Sequence, residues 1–265
     1  MLKYVFGLLV LGLVQANPVH EDEPVGFMED IKRGTNRVSG GVPAKEGQFP
    51  HQVNIRIVTL DGLVTSCGGS VIHNDWIITA THCLANIANR VQRDDIALLK
   101  LRMTISYGPT IQPIRIQSTE QKDYNYENKV VVVSGFGFDD DSWNGGQLSD
   151  NLLWTYLRGL SNEECRTFFT SVFPSTVCAR YYNHTDQSAC HGDSGGPLTI
   201  VDRDGKPTMI GLVQFASWRG CTSYWPTAYV RPGYYQDWLF KNTGINFDWT
   251  YSDLEDKSDT LNIIN

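Results

Sequence analysis

A serine among glycines gives the strongest chemical signal in this sequence. Residues 192–197 read Gly-Asp-Ser-Gly-Gly-Pro, with Ser194 at the third position. A nucleophilic serine needs an exposed Oγ and backbone N–H groups directed at the developing oxyanion, and neighbouring glycines permit both. The structural alternative is a glycine-rich turn with no chemical role. The hexapeptide predicts nucleophilic catalysis if a general base accompanies Ser194.

Two upstream blocks offer a base and an acid. His82 follows a predicted strand at residues 76–80, and Asp95 directly precedes an apolar stretch that predicts another strand. The alternatives are a structural role for His82 and, at the acid position, its neighbour Asp94. The six histidines are scattered along the chain, so we expect no metal site. The order of the candidates is histidine, aspartate and then Ser194.

The elements that must position these residues are predicted to be mainly β. Residues 51–59 alternate apolar Val53, Ile55 and Ile57 with polar neighbours, which is typical of a half-buried strand. Further short strands are predicted at 76–80, 129–134, 197–201, 208–216 and 227–231, hairpin turns at 61–62 and 204–205, and helices at 162–170 and 233–242. Many short strands punctuated by glycine indicate an antiparallel sandwich or barrel.

Composition and charge exclude several classes. With 41% hydrophobic and 19% charged residues, the chain is not broadly disordered, collagen-like or coiled-coil. Its 22 basic and 29 acidic residues give a formal charge of −7, and no basic stretch occurs. Nucleic acid and anionic membrane surfaces are therefore not expected partners. Six cysteines predict disulfides if the compartment is oxidising.

The two ends of the chain are predicted to be processing and tail segments. Residues 1–16 have a lysine, a short apolar run and a small-residue cleavage site, as a secretory signal peptide does. The apolar run is too short for a bilayer core about 30 Å thick. Residues 17–37 are polar and predict a propeptide that ends at a basic residue. Residues 246–265 predict a flexible acidic tail.

Taken together, the three blocks resemble the chymotrypsin-like serine peptidases from Val38 to about Ile245. The glycine pair 68–69 and the stretches 134–137 and 226–229 also match landmarks of that family. The resemblance implies an all-β fold of two antiparallel six-stranded Greek-key barrels, followed by a C-terminal helix. The barrels would cover about 38–120 and 121–232, within a peptidase domain at 38–245. The function implied is that of a secreted, extracellular serine endopeptidase that works through an acyl-enzyme.

The resemblance also implies a role for each candidate residue. Ser194 would be the nucleophile, His82 its general base and then acid, and Asp95 the group that orients the imidazole. The backbone N–H groups of Gly192 and Ser194 would form the oxyanion hole, each worth roughly 3–4 kcal/mol in comparable enzymes.

Cleavage after Arg37 would activate the protein. In the family, the new α-ammonium group, here that of Val38, pairs with the carboxylate of Asp193 and shapes the oxyanion hole. Without that cut the buried carboxylate lacks its cation, so the uncut chain is expected to be a zymogen.

Cysteine counting alone leaves fifteen connectivities open. The resemblance implies the pairs Cys67–Cys83, Cys165–Cys178 and Cys190–Cys221, with no cysteine left to tether the propeptide. Asn183 lies in an Asn-His-Thr tripeptide, which is a candidate N-glycosylation site in a secreted chain.

Three positions implied to line the specificity pocket carry no acidic residue. Ser188 would form the pocket base, and Ala216 and Thr227 would replace the wall glycines of wide aromatic pockets. Cleavage after Arg or Lys is therefore not expected. We expect a chymotrypsin- or elastase-like P1 preference, narrowed to small or medium apolar residues. Expected partners are protein or peptide substrates, an activating protease and protein inhibitors. The protein itself is expected to be a monomer without a cofactor.

The sequence departs from the family pattern in two places. Asp95 follows His82 by 13 residues, where the family order implies roughly 45. The shortened segment predicts an incomplete first barrel with unpaired edges and an exposed core. Residues 214–216 read Gln-Phe-Ala, where the family usually has Ser-Trp-Gly. These departures motivate an alternative: a catalytically impaired homologue that acts as a binding protein. A purely structural sandwich would leave the complete histidine, aspartate and serine set unexplained.

Overall fold

Two β-sheets account for most of the regular structure in the computed structural model, which describes residues 40–58, 64–85, 93–217 and 219–254. The strands are β1 (Val42–Pro43), β2 (Gln52–Val58), β3 (Val64–His73), β4 (Trp76–Thr79), β5 (Ala97–Lys100), β6 (Arg115–Ile116), β7 (Val130–Gly135), β8 (Leu153–Leu160), β9 (Thr176–Tyr181), β10 (Pro197–Val201), β11 (Pro207–Phe215) and β12 (Thr227–Val230). The helices are α1 (Thr81–Leu84), α2 (Asn162–Arg166) and α3 (Gln236–Thr243), with 3-10 turns at Ser142–Asn144 and Pro232–Tyr235. None of the helices in these ranges has the length and apolar content needed to cross a membrane.

The larger sheet contains a closed barrel. Its six strands run in the order β8, β7, β10, β11, β12 and β9, and β9 pairs back onto β8, so the ring has no free edge. All six contacts are antiparallel, while β1 adds to β8 and β6 adds parallel to β11. Apolar residues that alternate along these strands fill the interior: Val131, Val133, Leu157, Val177, Leu198, Ile210, Val213 and Tyr229. The six-stranded barrel implied by the resemblance is confirmed here.

The smaller sheet is open. Within the described ranges it consists of β2, β3, β4 and β5 in chain order, so β2 and β5 are its edges. Its core contains Ile55, Val71 and Ile77. Five more apolar residues on this core stay partly exposed: Val53, Ile57, Leu99, Leu101 and Ile105. The incomplete first barrel predicted from the short segment before Asp95 is confirmed.

The remaining elements differ from the sequence predictions at several points. The predicted helix at 233–242 is a 3-10 turn at Pro232–Tyr235 followed by α3 at Gln236–Thr243. Strands β1, β3, β6, β8 and β9 were not predicted. The predicted turn at 61–62 lies outside the described residues, as do the signal and propeptide segments. The turn at 204–205 is present, with Gly205 at φ +75°.

The expectation of a flexible tail is wrong for residues 246–254, which dock on the barrel. Trp249 donates its indole N–H to the Ile116 carbonyl oxygen at 2.8 Å, and its ring stacks under the Arg115 guanidinium at 4.3 Å. The Tyr251 hydroxyl donates to Asp202 at 2.9 Å. These contacts hold residues 246–254 on the barrel, although the acidic composition of the segment predicted a free tail. Residues 255–265 lie outside the described ranges.

Candidate active site

Strand register brings His82 and Asp95 together in spite of the shortened segment between them. In the β4–β5 pair, Thr79 at the end of β4 lies opposite Ala97 at the start of β5. The residues that continue β4 therefore run beside the residues that precede β5. The Thr81 hydroxyl donates to the Ile96 carbonyl oxygen at 2.8 Å and fastens the two segments. A spacing of 13 residues therefore does not prevent His82 and Asp95 from meeting beside the β4–β5 pair.

Asp95 contacts His82 through both carboxylate oxygens. Oδ1 accepts the His82 backbone N–H at 3.0 Å, and Oδ2 lies 2.6 Å from the imidazole Nδ1. Asp95 is buried, whereas His82 is partly exposed. A buried carboxylate held at this distance fixes the imidazole tautomer with Nδ1 protonated, so that Nε2 is the free basic nitrogen.

The Ser194 loop lies against the same helical turn. The Ser194 carbonyl oxygen accepts the Gly68 N–H at 2.7 Å and lies 3.4 Å from Sγ of Cys83. Cys83 follows His82 directly and is bonded to Cys67 on β3. This disulfide fastens α1 to the strand that receives the loop. The backbone of Ser194 therefore packs against Cys83, the residue that follows His82, and Ser194 is partly exposed.

Glycine is required where the two halves of the chain meet. Gly195 has φ +77°, and a Cβ built there would lie 2.7 Å from the Ala80 backbone nitrogen and closer still to the Thr79 hydroxyl. A Cβ on Gly68 would meet the Gly196 Cα at 2.6 Å. These backbones pack with no room for a side chain, which explains the glycines on both sides of the cleft.

Asp193 is fully buried under the loop. Its carboxylate accepts N–H groups of Gly137 at 2.7 Å and Cys190 at 2.8 Å. A Cβ on Gly135 would collide with this carboxylate, and one on Gly137 would lie 2.6 Å from it. The glycines of the 134–137 stretch thus leave space for a buried charge. Burial raises the pKa of Asp193 from its ordinary value of 3.8 to about 6, and the two N–H donors only partly offset that effect.

Gly192 precedes Asp193 with φ +98°, a conformation that favours glycine. A Cβ there would come within 2.7 Å of the Leu148 side chain. The positive φ sets how the N–H groups of the Gly192–Ser194 turn are directed.

The three predicted pocket residues fall in two different environments. Ser188 and Thr227 are buried, and their hydroxyl oxygens lie 3.0 Å apart. Ala216 is exposed just after β11, and the Cys190–Cys221 disulfide joins the two segments that carry Ser188 and Thr227. Two neutral hydroxyls thus contact each other at two of the positions that the sequence analysis predicts to line the pocket.

The sequence analysis missed Asp141, which holds the segment after Cys221. Its buried carboxylate accepts the Cys221 N–H at 2.6 Å and the Thr222 hydroxyl at 2.8 Å. Gly220, at φ +106°, lies so close to Asp141 that a Cβ would clash with it. Asp141 ends a run of three acidic residues in a loop. In a sequence, such a run is typical of a solvated surface. The partners of Asp141 lie 80 residues away and leave no local signal.

The other predicted residues are located as follows. The cysteine pairs are Cys67–Cys83, Cys165–Cys178 and Cys190–Cys221, the same pairs that the resemblance implies. Asn183 is exposed in a loop after β9, where Gln187 accepts its backbone N–H. Gln214 is buried on β11, and the Phe215 ring packs against Phe169 with 5.0 Å between centroids. Arg37 and Val38 lie outside the described residues.

Three comparisons identify what this arrangement is similar to. The sequence model of the trypsin family matches residues 38–93 and 87–239. A collagenase of Hypoderma lineatum is 31% identical over 91% of this chain and 99% of that protein. A brachyurin of Leptuca pugilator is 27% identical over 78% of this chain and 99% of that protein.

A solved structure of the HL collagenase is similar in fold, with a TM-score of 0.66 at 31% identity. It covers 77% of this chain, and this chain covers 98% of it. The family match extends over both sheets and over all three candidate catalytic blocks. The chain therefore belongs to the trypsin family and is a serine-type endopeptidase.

Proposed function

We propose that the protein is secreted as a zymogen and, once cut after Arg37, hydrolyses peptide bonds with Ser194, His82 and Asp95 as its catalytic residues. The observation that carries the proposal is the double hydrogen bond between His82 and Asp95, with the Ser194 loop packed against the adjacent Cys83. His82 and Asp95 are in contact although the segment between them in the sequence is short.

In the proposed mechanism, the Ser194 Oγ attacks the scissile carbonyl carbon while His82 Nε2 takes the hydroxyl proton. The carbonyl oxygen becomes an oxyanion and accepts N–H groups of Gly192 and Ser194. His82 then gives its proton to the leaving amine, and an acyl-enzyme on Ser194 remains. Water enters, His82 takes its proton, and collapse of the second tetrahedral intermediate returns the proton to Ser194. Asp95 stays ionised and stabilises the imidazolium throughout.

Reaction with a fluorophosphonate probe tests this proposal directly. The full chain is cut after Arg37 and labelled, and the site of labelling is mapped by mass spectrometry. We expect one label, on Ser194, that the variant Ser194→Ala abolishes. A folded, correctly cut protein that takes up no label would favour the alternative, a catalytically impaired homologue that only binds peptides.

Residues 1–16 and 17–37 support the proposed life cycle. A signal peptide would direct the chain to an extracellular location, and the three disulfides suit an oxidising compartment. A second, activating protease would cut after Arg37. The mature protein is proposed to be a monomer, subject to protein inhibitors and open to N-glycosylation at Asn183.

A neutral, narrowed pocket is the basis of the proposed substrate preference. The Ser188 and Thr227 hydroxyls lie 3.0 Å apart, and because both groups are neutral the pocket base would offer no anion to an Arg or Lys side chain. Thr227 also occupies space that glycine would leave open. A small or medium apolar P1 side chain is the class that fits a short pocket without a charge.

A panel of substrates that differ only at P1 is expected to rank Ala, Val and Leu above Phe, and all of these above Arg. Thr227→Gly should open the pocket and raise kcat/KM for Phe relative to Ala by about 10–100-fold, the range that a few methyl-sized groups are worth. Thr222 is near the pocket and its hydroxyl donates to Asp141. The variant Thr222→Gly is therefore the control for a general loss of rigidity around the pocket. A preference of the unmodified protein for Arg would refute the pocket assignment.

A further inference from the structure

We propose that Tyr235 is a positioning residue that holds Asp95 in place through the preceding residue, Asp94. This inference rests on the proposed catalytic role of Asp95. The Tyr235 phenol donates to Asp94 Oδ1 at 2.9 Å, and the Arg93 carbonyl oxygen lies 3.3 Å from the same hydroxyl. Tyr235 ends the 3-10 turn that leads into α3, so the contact joins positions 141 residues apart in sequence.

A further contact from outside the smaller sheet involves the residue before Asp94. The Arg93 guanidinium lies 5.9 Å from the centre of the Phe173 ring. Two consecutive residues before Asp95 are thus held by groups from outside the smaller sheet.

Asp95 is held from its other side as well. Ile96 is buried in a cluster formed by the open sheet, the closed barrel and α3, together with Ile114, Ile116, Met209, Leu212 and Leu239. The Tyr235 ring packs against the same cluster. The carboxylate therefore sits between an anchor at Ile96 and an anchor at Asp94, and Tyr235 contributes to both.

The short segment explains why such an anchor matters. Within the described residues β5 pairs only with β4, so no further strand supports the chain that leads into Asp95. The Thr81 contact fixes the chain after Asp95, so the chain before Asp95 depends on contacts from outside the sheet. Misplacement of a catalytic group by about 1 Å can cost 10²-fold in rate, so a single fixed neighbour has a measurable effect.

Tyr235→Phe keeps the packed ring and removes only the hydroxyl. With the full chain cut after Arg37, we expect kcat to fall about tenfold and KM to stay unchanged, which corresponds to the loss of about 1.4 kcal/mol of transition-state stabilisation. The matched control is Tyr234→Phe, whose hydroxyl donates to the carboxylate of Asp123 and has no described link to Asp95. The control should lose neither activity nor the His82–Asp95 geometry.

Two further readouts separate positioning from general stability. Asp94→Ala should cause a similar loss, and the double variant with Tyr235→Phe should lose no more than either single variant, because both remove the same contact. The low-field proton resonance of His82 Nδ1–H should shift or broaden in Tyr235→Phe and not in Tyr234→Phe.

That resonance reports the pair without any turnover, so it tests the positioning role even if the protein takes up no fluorophosphonate label. A missing label would count against the proposed function alone. An unchanged resonance together with an unchanged kcat in Tyr235→Phe would overturn the positioning role, as would equal effects of the two tyrosine variants.

Discussion

Replacing Asp95 by Asn is expected to lower kcat by about 10⁴-fold while the fold stays intact. The amide preserves the shape of the side chain, but the group that faces Nδ1 no longer carries a charge. The imidazole then loses the partner that selects its tautomer and stabilises the imidazolium during the transfer of the Ser194 proton. KM should change little, because Asp95 is buried and contacts His82 rather than substrate.

A second histidine–aspartate pair in the same chain provides the control for this prediction. The Asp75 carboxylate lies 2.5 Å from Nδ1 of His73 at the turn between β3 and β4, and both side chains are partly exposed. Asp75→Asn breaks a contact of the same chemistry and should leave kcat unchanged. Steady-state kinetics of both variants, after cleavage at Arg37, makes the comparison. A loss of less than tenfold in Asp95→Asn would contradict the triad assignment.

Local patterns in the sequence were informative where they reflect local physics. The alternation of Val53, Ile55 and Ile57 gave β2, because one face of the open sheet packs against its core. Strand β8 could not be predicted from the alternation of apolar and polar residues. Its buried positions include Leu153 and Leu157, but Trp154 on the opposite face is also large and half-buried, so the contrast between the faces is weak.

The candidate triad could be predicted because each of its three residues lies in a short sequence motif, and the chemistry of the residue depends on its immediate neighbours in that motif. The groups that hold the triad in place could not be predicted in this way. Tyr235 reaches Asp94 from near the other end of the chain, and Trp249 docks on Ile116 across 133 residues. Such contacts depend on which surfaces the fold brings together, and neither composition nor periodicity encodes them.

Cutting the chain after Arg37 is expected to raise kcat/KM by about 10³-fold and to stabilise the fold at neutral pH. The rate effect follows if the new ammonium group of Val38 pairs with Asp193 and completes the oxyanion hole, where one donor is worth about 10²–10³-fold. Arg37→Gln should block activation by an Arg-specific protease. Arg33→Gln alters a basic residue earlier in the same segment and should leave activation intact.

The effect on stability follows from the raised pKa of Asp193. In the uncut chain its pKa is about 6, above the ordinary 3.8 that applies when unfolded, so the folded state binds the extra proton between these values. The stability that this group contributes is full below pH 3.8 and is lost as the pH rises through 6. The free energy of unfolding of the uncut chain should therefore fall by about 2 kcal/mol between pH 4 and pH 7 from this group alone.

In the cut chain the ammonium group favours the ionised carboxylate, and that pH-dependent loss should disappear. Denaturant unfolding of the Ser194→Ala protein, cut and uncut, at pH 4 and pH 7 measures the difference without self-digestion. Asp193→Asn in the uncut chain should remove this loss too, because the amide is never charged, yet it should not permit activation. Equal stability of the cut and uncut proteins at pH 7 would show that Val38 does not pair with Asp193. The zymogen mechanism would then be wrong for this protein, whatever the activity of its triad.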